Sequence, residues 1–363
     1  MADQAMEEAL RLYQAGEFTT ALEMLQPLAA QNIPLAQVIL GTMYAHGQGV
    51  ERNDEIAREY YLPAAQTGDP QAQNGLGHLL AEGKGGEADI TRALYWFEQA
   101  ATEGFDMAQY NLAHLYHSGK AGEQELEKAI YWYTQAANSG YASAQYQLYT
   151  LHANHLAAEF NAKRALYWLH AAAQRDVAQA QYDLGWQYET GFLTDRDWNE
   201  ASFWYQRAAR NEHPEAQFRL GEILFNGHDC PQQPTQAIAW YEESARQGFM
   251  TAMFRLAQIH QQGLQVKKDP EAAIYWYTLC ARGGSPGACS MLARIYSDGE
   301  AIEPDIFTAL VWSALSSEAA QRTSAPDAAQ YTEAWEQTKQ QLEAGTISQL
   351  ELQVTQFIGE YWQ

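Results

Sequence analysis

Residues 108–140 read AQYNLAHLYHSGKAGEQELEKAIYWYTQAANSG, and their skeleton recurs along most of the chain. Ala36, Ala72, Ala108, Ala144, Ala180, Ala216, Ala252 and Ala288 stand 36 residues apart. Ala57, Ala93, Ala129, Ala165, Ala201, Ala237, Ala273 and Ala309 keep the same step. Eight copies without insertion or deletion mean one supersecondary unit stacked many times, folding by contact between neighbours. That regularity overrides the two-domain expectation that 363 residues would otherwise raise.

With the leading Ala as place one, place five is Leu in every unit, from Leu40 to Leu292, and places eight and nine are mostly large and apolar. Spacing of one, five and eight marks one face of an α-helix. Place six is small in most units (Gly41, Gly77, Ala113, Gly185, Gly221), which lets helices approach closely. Glycine at place twelve (Gly47, Gly83, Gly119, Gly191, Gly227, Gly263, Gly299) is suited to end the helix in a left-handed turn. Six residues later Asn53, Asp89, Asn161, Asp197, Asp269 and Asp305 are good N-caps for a second helix. That helix carries Trp96, Trp132, Trp168, Trp204, Trp240, Trp276 and Trp312 at one place, followed by Ala-Ala pairs. Seven tryptophans at one helical place read as packing residues against the small layer. Gly68, Gly104, Gly140, Gly248 and Gly284 close the units.

The chain carries 22 Lys and Arg against 45 Asp and Glu, a net charge of −23. Such a surface repels phosphate backbones and anionic membranes, so nucleic acid is not expected as a partner. A partner with basic patches is favoured, and the same charge also serves solubility. Residues 1–8, MADQAMEE, have neither a basic n-region nor an apolar run, and no stretch approaches a membrane span. A cytoplasmic location without membrane insertion is expected. Cys230, Cys280 and Cys289 are too few for a disulfide framework and read as free thiols in a reducing compartment.

These residues resemble the Sel-one-like repeat (SLR) family, a branch of the tetratricopeptide superfamily, on Ala108, Leu112, Ala113, Tyr116, Gly119, Ala129, Trp132, Tyr133, Ala136, Ala137 and Gly140. The resemblance covers about residues 36–320. It implies an all-α fold, a right-handed α-solenoid or superhelix of antiparallel helix pairs, and an adaptor or scaffold role in protein complexes. It brings no catalytic residues and no cofactor. Residues 1–35 are expected to form an N-terminal tetratricopeptide-like capping pair, 36–320 eight tandem repeats, and 321–363 C-terminal capping helices, since open array ends need covers. Val354, Phe357, Ile358 and Trp362 supply an apolar stripe for that purpose. The fourth unit departs from the pattern, with Tyr149 at the small place, His152 at the Tyr place and His155 at the terminating glycine. Asp176 and Glu212 replace closing glycines, so helix lengths and crossing angles are expected to change between residues 144 and 215.

At about 100° per residue, places three, seven and ten lie opposite the core stripe of each first helix. By the resemblance, that stripe faces a concave inner surface. Its occupants include His78; Tyr110, His114 and His117; Tyr146 and Thr150; and Tyr182, Trp186 and Glu189. Phe218, Glu222, Phe225 and Phe254 continue it. Aromatic residues off the core face are suited to anchor a partner, or they pack between neighbouring first helices. The favoured function is a non-enzymatic scaffold holding a protein or peptide there. An alternative is an immunity-type antagonist of a bacterial toxin, a role some family members fill. From another class comes a metal enzyme on His114, His117, His152 and His155, though no carboxylate or Cys completes a four-ligand set in sequence. Gly283-Gly284-Ser285-Pro286-Gly287 matches the hydrolase string G-x-S-x-G. It lies between two helices with no strand before it and reads as a turn.

Overall fold

The computed structural model describes residues 2–120, 122–153, 161–298 and 302–362. It divides into two compact units, Met1–Ala180 and Gln181–Gln363. The first contains α1 (Ala2–Gln14), α2 (Phe18–Ala30), α3 (Pro34–His46), α4 (Asp54–Gln66), α5 (Pro70–Glu82), α6 (Ile90–Thr102), α7 (Asp106–Ser118), α8 (Leu126–Asn138), α9 (Ala142–Ala153) and α10 (Ala162–Gln174). α11 (Ala178–Thr190) leads the second unit, followed by α12 (Trp198–Arg210), α13 (Pro214–Asn226), α14 (Pro234–Arg246), α15 (Met250–Gln262) and α16 (Pro270–Arg282). α17 (Pro286–Asp298), α18 (Ile306–Arg322), α19 (Ala328–Lys339) and α20 (Ala344–Tyr361) complete it. The described residues contain no strand, and successive helices pack on one another from α1 to α10 in the first unit and from α12 to α19 in the second, with α20 on α18, as expected for tandem helix pairs.

Helix boundaries follow from local backbone chemistry. The side chains of Asn53, Asp89, Asn161, Asp197, Asp269 and Asp305 each accept N–H groups of the turn they open. Such a cap contributes about 1 kcal/mol. Gly47, Gly83, Gly119, Gly227 and Gly263 end first helices with φ between 67° and 74°. Gly299 lies outside the described residues. A recurring buried glutamine at place two serves the helix ends as well. Gln37, Gln73, Gln109, Gln145 and Gln217 donate Nε2 to the carbonyls of Ala29, Ala65, Ala101, Ala137 and Ala209 at 3.1–3.3 Å. Those carbonyls sit in the last turn of the preceding second helix, where no intrahelical donor remains.

All eight leading alanines, all eight place-five leucines and the second alanine series are buried. The deepest ring is not the tryptophan but the residue after it. Tyr61, Phe97, Tyr133, Tyr205, Tyr241 and Tyr277 are at most 5% exposed, whereas Trp132, Trp168, Trp240, Trp276 and Trp312 are half-buried. The place-six residue makes room for that ring: a methyl at Gly221 would lie 2.6 Å from Tyr241 Cε1, and one at Gly77 2.9 Å from Phe97. The fourth repeat exchanges the two sizes. Tyr149 stands at the small place and Leu169 at the ring place, and both are buried.

α10, α11 and α12 are each 13 residues long, while α9 has 12 described residues and is followed by 154–160, which lie outside the described residues. Asp176 and Glu212 hold the left-handed turn themselves, with φ of 59° and 60°. The junction geometry is thus kept at the cost of strain, about 1–2 kcal/mol per residue. In the second unit, Val354, Phe357, Ile358 and Trp362 pack against a cluster containing Tyr277, Cys289, Leu292 and Leu315. Trp362 Nε1 donates to Ala281 O at 2.9 Å.

Candidate interaction surfaces

In the first unit, α3, α5 and α7 border a groove of about 630 Å³. The ring of Tyr61 lines it, with its hydroxyl 3.0 Å from Thr42 Oγ1. Gly75 at place four makes room for that buried ring, since a Cβ there would lie 2.8 Å from Tyr61 Cζ. Asn111 Nδ2 donates to Asn74 Oδ1 at 2.9 Å. Phe105, Met107 and Tyr141 give apolar lining, and His46, Arg52 and Lys84 give polar lining. Arg52 is held by Asp54 at 2.9 Å, while Lys84 pairs with Glu82.

Exposed His78 borders this groove, with Nε2 3.5 Å from Glu82. Tyr110 is half-buried, its ring 5.6 Å from Tyr133 and 5.1 Å from Tyr141. His114 is exposed and nearly parallel to Tyr110 at 6.4 Å. Partial burial, then Lys120 and His117, hold its pKa below the ordinary value. His117 meets the edge of Tyr133 at 6.1 Å, and half-buried Tyr146 leans on Tyr149 at 5.7 Å. Thr150 Oγ1 donates to Gln147 O in its own helix at 2.8 Å.

In the second unit, Tyr182 is half-buried, stacked on His213 at 4.7 Å and tilted against Tyr205 at 5.7 Å. Trp186 is 37% exposed and Phe192 63%, with ring centroids 6.3 Å apart. Phe218 is half-buried between Tyr241 and Phe249, and Phe254 meets Tyr277 at 5.3 Å. Phe225 corrects the expectation for place ten, because it is only 5% exposed. On a 100° wheel, place ten lies about 40° from place six, the place that meets the second helix. An apolar ring there turns inward, and the Arg255 guanidinium covers it at 5.1 Å.

Glu189 and Glu222 are engaged with core tyrosines and with arginines of the next repeat. Glu189 accepts the Tyr205 hydroxyl at 2.5 Å and lies 3.4 Å from Arg219. Glu222 accepts the Tyr241 hydroxyl at 2.6 Å and Arg255 Nε at 2.9 Å. Burial, reinforced by those carboxylates, pushes both tyrosine pKa values far up. Gln261 accepts from Tyr277 at 3.0 Å, and burial raises that phenol to about 12. Where the ring is Phe97 or Leu169, places seven and ten of the same repeat carry no carboxylate. Tyr133 is the exception, a buried hydroxyl with no partner among the described residues. Side chains at places seven and ten therefore serve the core as much as the surface.

No three His, Cys, Asp or Glu among the described residues are grouped to hold a metal. His155 lies outside them, and His152 is buried with its pKa lowered by burial and then by Arg164. Ser285 of the hydrolase-like string accepts the Ala288 N–H at 3.3 Å, opening α17. All three cysteines are free, with Cys280 and Cys289 buried.

Sequence projection missed place four, which supplies Gly75, Asn111, Arg219 and Arg255 to these faces. It also missed a row on the second helices. Tyr95, Tyr131 and Tyr167 in the first unit, and Phe203 and Tyr275 in the second, are 51–63% exposed. Each meets the following tryptophan edge-on at 4.8–5.0 Å. The signal was present as a constant place, one residue before each tryptophan.

The Sel1 repeat pattern matches eight segments: 34–69, 70–105, 106–141, 158–177, 178–213, 214–249, 251–285 and 286–320. The short fourth match coincides with the irregular repeat. The solved structure of c5321, a protective antigen of uropathogenic Escherichia coli strains with an SLR fold, is 26% identical. It aligns over 99% of this chain and 92% of its own, with a TM-score of 0.72. A Sel1 repeat protein from Oxalobacter formigenes is 29% identical over 81% of this chain and 88% of its own, with a TM-score of 0.60. A search of curated proteins gives no match.

Proposed function

Because this chain belongs to the Sel1 repeat family, we propose that it is a non-enzymatic scaffold whose first-helix faces hold a protein or peptide. The observation that carries this reading is the Trp186–Phe192 pair, two neighbouring aromatic rings left open to solvent. Large aromatics in such positions dominate binding energy at protein interfaces. The groove beside Asn74, Asn111 and His78 supports the same reading for the first unit, because side-chain amides match the donor and acceptor pattern of a peptide main chain. Among the remaining first-helix residues, the half-buried rings of Tyr110 and Tyr146, with His114, His117 and Thr150, belong to the first-helix face of the first unit, and Tyr182, Phe218 and Phe254 to that of the second. Three free cysteines suit a reducing, cytoplasmic setting. No described helix is long and apolar enough to cross a membrane.

The test replaces Trp186 and Phe192 with Ala and compares co-purified proteins by mass spectrometry from the native cell. Loss of a partner by a variant with an unchanged circular-dichroism melt is expected. Retention of every partner by that folded variant would refute the reading.

A further inference from the structure

We propose that α20 is a releasable strap over the last repeat, held by Trp362 in the role that a glutamine fills at other junctions, and that its release uncovers the thiols of Cys280 and Cys289. At five junctions among the described residues, the place-two glutamine donates to the second alanine carbonyl of the preceding helix, as Gln73 does to Ala65 and Gln109 to Ala101. The same place holds Cys289 in the eighth repeat, and a thiol is only a weak donor. The corresponding carbonyl, eight residues earlier, is that of Ala281. Trp362 Nε1, from 81 residues further along the chain, donates to it at 2.9 Å. Ala281 O also accepts the Gly284 N–H at 2.9 Å, just as Ala65 O accepts from Gly68 and Ala101 O from Gly104. A carbonyl has two lone pairs, so one further donor, glutamine or indole, completes it.

Further contacts hold this end of α20. Arg322 Nη1 donates to Trp362 O at 2.9 Å, the Arg282 guanidinium lies 4.4 Å from the Tyr361 ring centroid, and Phe357 meets the Trp312 ring edge-on at 5.4 Å. Along the rest of the helix little is buried. Of its 18 residues only Leu350 is, whereas α16 buries Ala273, Tyr277, Cys280 and Ala281. A helix with so little buried apolar surface opens at a lower free energy than the repeats beneath it. Those repeats hold the thiols. Cys280 and Cys289 are 1% and 0% exposed, in the cluster that Trp362, Phe357 and Ile358 pack against. Burial raises the Cys280 thiol, and burial followed by Cys280 raises that of Cys289 to about 12. The thiolate is the reactive form, so both are inert while the strap is closed. Half-buried Cys230 packs against a different cluster, with Tyr241 and Ile223.

The experiment follows N-ethylmaleimide labelling of the native full chain by peptide mass spectrometry, with Cys230 as internal reference, and amide hydrogen exchange over residues 344–361. Trp362→Ala should speed labelling of Cys280 and Cys289 about tenfold or more, at an unchanged Cys230 rate. Trp362→Phe keeps a ring but loses the donor, and should speed exchange in α20 by about threefold to tenfold. Cys289→Gln supplies the glutamine that other junctions carry. It should take the Ala281 carbonyl from the indole and loosen α20 by a similar factor. In that background Trp362→Phe should have little further effect, less than about twofold. Leu352→Ser, at a 70% exposed position of the same helix, should leave both readouts unchanged. Unchanged labelling in Trp362→Ala, or an equal effect of Trp362→Phe with and without Cys289→Gln, would overturn the proposal. So would acceleration of all three cysteines together, which marks unfolding of the whole unit instead of release of the strap.

Discussion

Replacing Glu222 with Ala tests whether the first-helix carboxylates serve the core. The change leaves the Tyr241 hydroxyl buried without its acceptor, at about 1–3 kcal/mol. It also unpairs Arg255, whose side chain is 24% exposed and whose ion pair contributes on the order of 1 kcal/mol. The expected loss is about 2–4 kcal/mol. In a Tyr241→Phe background the hydroxyl is gone, and the same Glu222→Ala change should cost only about 1 kcal/mol. The coupling between the two positions is then about 1–3 kcal/mol. Urea unfolding followed by tryptophan fluorescence gives the four stabilities, with hydrogen exchange on α13 and α14 to resolve local opening, because repeat arrays need not unfold in one step. Equal cost of Glu222→Ala in both backgrounds, within about 0.5 kcal/mol, would refute the reasoning.

Tyr133→Phe removes an unpartnered buried hydroxyl and should be neutral or stabilising by about 1 kcal/mol in chemical denaturation, whereas Tyr277→Phe should cost about that much. Gly221→Ala drives a methyl into the Tyr241 ring and should lower stability by about 1–3 kcal/mol in the same assay. Glu212→Gly relieves a left-handed residue but loosens the unfolded chain; a net gain of about 0.5–1 kcal/mol is expected from thermal melts. His213 Nδ1 accepts the Ala216 N–H at the start of α13, and burial holds its pKa below 6.5 against the pull of Glu215 and Asp183. The folded state prefers the neutral ring, so this stability is present above 6.5 and is lost as pH falls through the lowered folded pKa. His213→Ser, a cap that does not titrate, should flatten the melting temperature between about pH 7 and 5.

Much of the architecture was written in local chemistry. The caps from Asn53 to Asp305 and the glycines from Gly47 to Gly263 each act within one turn, so spacing alone located the helices. Depth was harder to read. Trp132 and Tyr133 are adjacent and both aromatic, and only the gap opened by Ala113 and its equivalents decides which ring goes to the bottom. The same limit misplaced Phe225, since a helical wheel gives direction but not distance to the next helix. Glu189 and Glu222 looked like free carboxylates because their tyrosine partners lie 16 and 19 residues away on another helix. The size exchange between Tyr149 and Leu169 shows the reverse case: Tyr149, which looked irregular alone, keeps the volume of its repeat because Leu169 is small where a ring stands elsewhere.

The most direct test of the scaffold reading is site-specific photo-crosslinking in the native cell. A benzophenone amino acid at His78 or at Trp186 should yield a covalent adduct with a partner protein, and one at the exposed positions Glu17 or Asp327 should not. Adducts only from Glu17 or Asp327, or none from His78 and Trp186 in a folded, expressed protein, would contradict it.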